Sequence, residues 1–275
     1  MTERTDAALV AAAEAALAAT TQRTVLVDHG GERYVAKRQA DRPRRRSQAV
    51  AVRWLVKRVT GQALPMRTLL LSEAASSVDY EARRLRALAL AGVRVPRIAH
   101  HGAGYLLLEH CGPTLATVIE GWSADACGQA FLREAAELGA FHRGGQWHGA
   151  AQIKNLTRKN GQTWRIDFEE NFGELVPLPA AQALDLVLLL NSISLAGPMA
   201  EAQTRALLPL LIDAYFAANA DHRVRELLER ALPWVTALAR LSSPFKGGSV
   251  GGRQRKGIAR LVLLAEALGA TLRGR

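Results

Sequence analysis

His148, Asn155 and Asp167 lie close together along residues 147–173, WHGAAQIKNLTRKNGQTWRIDFEENFG. An amide oxygen and a carboxylate from adjacent loops are hard ligands of the kind magnesium takes. Upstream, Lys37 ends the strand-like run YVAK and Glu81 stands in the helix-like YEARRLRAL, so a carboxylate is available to hold a cation in place. Transfer of a phosphoryl group needs little covalent chemistry from a protein. It needs a cation on the phosphates, oxygen ligands for a metal, and a group that orients the acceptor hydroxyl. The first two requirements can be read from these residue types.

The elements that must position them are legible from pattern. Residues 7–19 are Ala-rich and read as helix. Residues 24–27 and 33–37 are strand-like runs flanking Asp28-His29-Gly30-Gly31, a hairpin signal. Residues 42–61, RPRRRSQAVAVRWLVKRVTG, read as a basic helix closed by Gly61. Residues 79–91 form a helix with Leu85, Leu88 and Ala89 on one face. Residues 95–98 and 104–109 read as short strands, the second buried, and Gly112-Pro113 break the chain. Residues 164–166 read as a strand that delivers Asp167 into a loop. Beyond about residue 112 helical patterns dominate, at 124–141, 180–193, 202–218, 223–241 and 257–272. A strand-rich front and a helical back imply an α+β chain in two parts, 1–111 with a basic insertion at 40–61, and 112–275. No repeat is visible.

Composition bounds the function. In 275 residues, 49% apolar content is ample for a core, and 22% charge is ordinary for a water-exposed surface. No apolar run reaches the length of a membrane span, and the start lacks the pattern of a signal peptide. Cys111 and Cys127 are too few for a ligand cluster and fit free thiols in a reducing cytoplasm. A net charge of +11 favours an anionic partner without choosing it. No zinc-finger, homeodomain or RNP motif supports specific nucleic-acid reading. Within 42–58, Arg44–Arg46, Arg53, Lys57 and Arg58 frame Trp54 and Leu55. Such a helix is able to lie on an anionic membrane surface, and equally to pack on the protein as a solvated basic face. The Gly-rich basic stretch 246–256, KGGSVGGRQRK, fits either a clamp on an anionic substrate or a loop, and lacks the ending of a P-loop.

Taken in order, YVAK, YEARRLRAL, the break after GYLLLE, AFHRGGQWHG, Asn155, IDFEE and ALDLVLLL resemble the protein-kinase-like superfamily. The similarity runs from about residue 24 to 190 and is nearest the atypical bacterial branches: lipopolysaccharide-core Kdo kinases, RIO-type kinases and aminoglycoside-type phosphotransferases. The resemblance implies a two-lobed kinase-like fold, with an antiparallel-sheet N-lobe and a mostly helical C-lobe. It implies ATP and Mg2+ as cofactors and a hydroxyl acceptor. Lys37 and Glu81 resemble the phosphate lysine and its helix partner, and the segment from Glu109 through Cys111 to Gly112 resembles the hinge that meets adenine. His148 and Asn155 match the catalytic loop, Asp167 in DFE resembles the metal-binding acid, and Asp185 resembles the acid that braces the loop.

Two departures stand out. No glycine-rich loop precedes Lys37, and Ala150 occupies the position of the acid that orients the acceptor and takes its proton. Gln152 could orient an acceptor but is no base; Glu169 and Glu170 are the neighbouring carboxylates. His148 and His142 fit structural roles as well as catalytic ones. The expected function is an ATP-dependent phosphotransferase acting on a hydroxyl of a lipopolysaccharide-core sugar, another small molecule or a protein Ser/Thr. The alternative is a pseudokinase that holds nucleotide without transfer, and a basic nucleic-acid-associated protein rests on charge alone. The expected location is the cytoplasm, with peripheral contact at the inner face of the membrane through 42–58.

Overall fold

The computed structural model describes residues 6–39, 46–61, 78–242 and 252–273. Residues 42–45 of the basic segment and 246–251 of the Gly-rich stretch lie outside the described residues. The fold is α+β, with a small four-stranded antiparallel sheet and a mostly helical remainder. No helix among the described residues is long and apolar enough to cross a membrane. The chain divides into two compact units. One comprises Met1–Val50, Pro65–Pro113 and Leu156–Asn171; the other comprises Ala51–Leu64, Thr114–Asn155 and Phe172–Arg275.

In the first unit, helix α1 (Ala7–Ala18) is capped by Asp6, whose side chain accepts from Ala8 N at 2.9 Å. Its Leu9, Ala13 and Leu17, spaced by one helical turn, pack with Val27, Tyr34, Ala36, Tyr105 and Leu107. Strands β1 (Thr24–His29) and β2 (Glu32–Arg38) form the expected hairpin, turning at Gly30 and Gly31, both at positive φ. Further along the chain come helix α2 (Arg46–Thr60), which from Ala51 onward belongs to the other unit, helix α3 (Val78–Leu90), β3 (Ile98–Gly102) and β4 (Tyr105–Glu109), giving sheet order β1-β2-β4-β3. The strand expected at 95–98 is displaced. It starts only at Ile98, because Pro96 has no N–H to give a ladder.

Lys37 lies on β2, opposite Leu106 of the buried strand β4. On α3, Glu81 shares the buried face with Leu85 and Leu88, one and two turns further on, so the helix that packs its leucines inward buries the carboxylate too. Strands β5 (Leu156–Lys159) and β6 (Gln162–Arg165) make a second hairpin that leads to Asp167. Gly112 is required beside it. Its φ is +84°, and a Cβ there would stand 2.1 Å from Arg158 O. That close approach lets Arg158 N donate to Pro113 O at 2.9 Å.

The second unit holds α4 (Leu115–Val118), α5 (Ala124–Arg143), α6 (Phe172–Leu175), α7 (Leu178–Ile193), α8 (Glu201–Ala218), α9 (His222–Ser242) and α10 (Gly252–Arg273), with two short 3-10 turns, Ile119–Gly121 and Ile153–Asn155. Ser123 caps α5 by accepting from Ala126 N at 3.2 Å. Helix α7 is apolar almost throughout, and Asp185 is buried within it among Ala181, Leu186, Leu189 and Leu190.

Candidate functional site

The sequence-derived residues gather in two clusters, one in each unit. In the first unit, the Lys37 ammonium donates to Glu81 Oε1 at 3.0 Å and to Asp167 Oδ1 at 2.5 Å, and lies 3.3 Å from Glu169 Oε2. The Lys37 and Glu81 side chains are 8% and 2% exposed, whereas Asp167 is 28% exposed. Arg23 grips Glu169 with both terminal nitrogens and donates from Nε to Arg38 O at 3.2 Å. Phe168 is fully buried and anchors the loop that carries the two acids. Asp167 itself has φ +70°, a left-handed conformation that costs a non-glycine residue on the order of 1 kcal/mol. The backbone is thus held in a strained state that presents this carboxylate to Lys37.

Burial alone pushes the Lys37 ammonium toward the neutral form. The attraction of Glu81, Asp167 and Glu169 outweighs it and holds the pKa well above the ordinary lysine value. Glu81 is driven the other way: burial raises its pKa above the usual carboxylate value despite Lys37. The cluster sets three carboxylates, Glu81, Asp167 and Glu169, against two cations, Lys37 and Arg23.

Glu109 and Cys111, expected to meet a nucleotide, stand where β4 ends. The Glu109 side chain is ion-paired to Lys159. Burial and the charge of Glu109 push the Cys111 thiol up to about 12, so it is inert as a nucleophile at neutral pH. Glu109 N donates to Arg97 O at 2.9 Å and His110 N to Arg33 O at 3.1 Å. The Cys111 N–H donates to no group among the described residues, which leaves one backbone donor at the end of the strand.

In the second unit, the loop of residues 148–155 is hung from α7. Asp185 accepts from His148 N at 2.5 Å and from Gly149 N at 2.8 Å. Ser192 accepts from Ile153 N at 3.1 Å. The Asn155 side-chain amide donates to Ala150 O at 2.9 Å and Gln152 N donates to the same carbonyl at 2.8 Å. His148 is fully buried, and its Nδ1 accepts from Ala150 N at 3.3 Å, so it shapes the loop. Gln152 is half-buried.

Behind Asp185 lies a buried chain of polar groups. His142 Nε2 is 3.4 Å from Asp185 Oδ2 and its Nδ1 is 2.7 Å from Tyr215 Oη, which accepts from Asn219 Nδ2 at 3.0 Å. Gln182 Nε2 donates to the carbonyls of His142 and Gln146, at 2.8 and 3.0 Å. Burial pushes the Asp185 pKa up, but His142, His148 and the loop N–H groups bring it below the ordinary value.

Of the expected residues, Lys37, Glu81 and Asp167 are brought together, and His148, Gln152 and Asn155 share one loop with Ala150. Asn155 and Asp167, expected as metal ligands, belong to different units. No group of three His, Cys, Asp or Glu suited to a metal gathers among the described residues. Sequence reasoning missed Arg23, Gln182, Ser192, Tyr215 and Asn219, and took Glu169 only as a spare base. Nothing local marks Tyr215 and Asn219; their one-turn spacing on an apolar helix was the available signal. No protein-family model matches the chain, and a search of curated proteins gives no match.

Proposed function

We propose that the chain is an ATP-dependent phosphotransferase with a two-lobed kinase-like fold, acting on a hydroxyl acceptor. The observation that carries this reading is the buried Lys37 ammonium held between Glu81 and Asp167, on a strand, a helix and a strained loop. Lys37 supplies the cation for the phosphates, and Glu81 keeps it there. Its neighbours are already three carboxylates, so phosphates must displace one of them. Asp167 is the most exposed of the three, and Glu169 the most distant at 3.3 Å.

The donor chemistry fits magnesium through Asp167, while the part of Asn155 as a second ligand rests on the resemblance alone. Magnesium, when bound, would neutralise phosphate charge during transfer. Adenine would take the Cys111 N–H. Gln152 would orient the acceptor through its amide. Base catalysis is only part of the acceleration in a loose transition state, so Ala150 lowers the rate expected without removing the electrostatic share.

The second reading, a nucleotide-holding pseudokinase, is favoured by Ala150 itself. Saturating magnesium-ATP should raise the melting temperature of the protein, and Asp167→Ala should abolish that rise. No shift in the wild type would sink both readings. Slow ATP turnover lost in Asp167→Ala supports transfer, and binding with no turnover under any candidate acceptor supports the pseudokinase.

For the anionic membrane surface, α2 offers the exposed Val50 and the half-exposed Trp54, with the Arg58 guanidinium 5.6 Å from the Trp54 ring and 5.0 Å from that of Trp234. Co-sedimentation with anionic vesicles should weaken in Trp54→Ala; equal sedimentation removes this contact from the proposal.

A further inference from the structure

A second concave site lies in the helical unit, beside the loop that carries Ala150. It is an open cavity of about 240 Å³ lined by Glu120, Gln152, Lys154, Ser192, Lys256 and Arg260. Three cations face one carboxylate. Arg260 is fixed by donating from Nε to Ser194 O at 2.7 Å, and no carboxylate among the described residues pairs with its guanidinium. Burial without a counter-charge holds Arg260 below the ordinary arginine pKa. Lys154 and Lys256 likewise make no ion pair among the described residues. Positive charge collected in a concavity, with Arg260 half-buried in it, attracts anions.

The size narrows the choice. Sites for drug-sized ligands run from about 300 Å³ upward, so this one suits a small anionic group, not a peptide or oligosaccharide. Three converging cations suit a phosphate dianion better than a lone carboxylate, and an arginine fork matches phosphate oxygens. The single acid, Glu120, and the Gln152 amide supply an acceptor and a donor for hydroxyl groups.

We propose that this cavity is a subsite for the phosphate group of a small phosphorylated hydroxy compound, a sugar or polyol phosphate, presented beside the Ala150 loop. As an assignment of the acceptor, it rests on the phosphotransferase reading; as an anion site it does not. Gln152 lines the cavity and its N–H is bonded to Ala150 O, so the cavity adjoins the loop that carries position 150. In this arrangement the cations bind what an orienting acid would otherwise position.

The test measures binding calorimetrically with three probes at constant ionic strength: inorganic phosphate, glucose 6-phosphate and glucose. Glucose 6-phosphate should bind more tightly than phosphate, and glucose should not bind detectably. Lys154→Gln with Lys256→Gln, both exposed positions whose replacement leaves the fold intact, should weaken glucose 6-phosphate at least 10-fold and leave the magnesium-ATP melting shift unchanged. Equal affinity in the double variant, or binding of glucose as tight as that of its phosphate, overturns the subsite. Phosphate binding with no gain from the sugar overturns the assignment of the ligand class. A wild type that binds glucose 6-phosphate but shows no magnesium-ATP shift keeps the anion site and removes the transfer reading.

Discussion

The cluster around Lys37 and the cluster around Asp185 both hold a buried charged group among polar partners, yet they are built for different ends. Asp185 and His142 are fully buried, and Asp185 accepts two backbone N–H groups. Lys37 is surrounded by more negative charge than it can balance, and one partner, Asp167, remains partly open to water on a strained backbone. Charge that is sealed and hydrogen-bonded holds a structure; charge left unbalanced beside solvent is available to a ligand.

The largest effect should come from breaking the sealed cluster. Asp185→Ala leaves the buried His148 N–H, the part-buried Gly149 N–H and His142 without their carboxylate partner. It should cost about 3–5 kcal/mol, as removal of one partner from a buried charged pair does. Urea unfolding of Asp185→Ala and Asp167→Ala side by side reads the contrast directly. Asp167→Ala removes one of three mutually repelling carboxylates and relieves the backbone strain only in part, so it should change stability by less than about 1 kcal/mol. Equal losses would mean that the Lys37 cluster is structural too.

Next in size is Lys37→Met. It leaves Glu81 buried among carboxylates without its cation. The cost of the uncompensated Glu81 charge at pH 7 is capped at about 3.5 kcal/mol, because Glu81 can escape by taking a proton, from an ordinary value of 4.5 and at about 1.4 kcal/mol per unit. Its folded pKa is raised, so the stability it contributes is fully present below the unfolded value and lost as pH rises through the folded one. The gap between Lys37→Met and wild type should therefore close on acidification. Asp185 behaves oppositely. Its folded pKa is depressed, so its contribution is present above the ordinary aspartate range and lost as pH falls through the folded value. Melting curves of Lys37→Met and wild type between pH 7 and 4 check the first sign; the second is read by comparing Asp185→Ala with wild type, a gap that should hold from pH 7 to 4 and close only below the ordinary aspartate value of 3.8.

The two clusters also differ in how far sequence could reach them. YVAK, the Glu81 helix and IDF each carry their residue on a strongly patterned element, so Lys37, Glu81 and Asp167 were legible. Glu81 is buried for the same reason Leu85 and Leu88 are. Asp185 was legible through its resemblance to a bracing acid, but its partners were not. Tyr215 reads as one more aromatic in an apolar helix until that helix packs on the one bearing His142. The misplaced strand at 95–98 failed for a local reason, the missing donor of Pro96. Arg23 lies just before β1, and only the sheet, which brings Arg38 O within 3.2 Å of its Nε, aims it at Glu169. The cation-lined cavity draws on four separate stretches of chain, which no window of sequence joins.

The smallest effects separate the clusters most cleanly. Tyr215→Phe removes a hydroxyl that serves both His142 and Asn219 in a dry interior, so it should lower stability by about 1–3 kcal/mol and leave the magnesium-ATP melting shift unchanged. Arg23→Ala should do the reverse. Arg23 is a third exposed, and its ion pair with Glu169 contributes at most about 1 kcal/mol after solvent screening. Once Arg23 is gone, Glu169 has Lys37 as its only cation among the described residues, 3.3 Å away, and would compete with phosphate for the same ammonium. The apo protein should melt nearly as the wild type does, while the magnesium-ATP shift shrinks. Glu169→Gln in the same background removes the competitor and should restore the shift. Restoration would place Glu169 as the gate on Lys37; a shift that stays small would mean that Arg23 meets the phosphates itself.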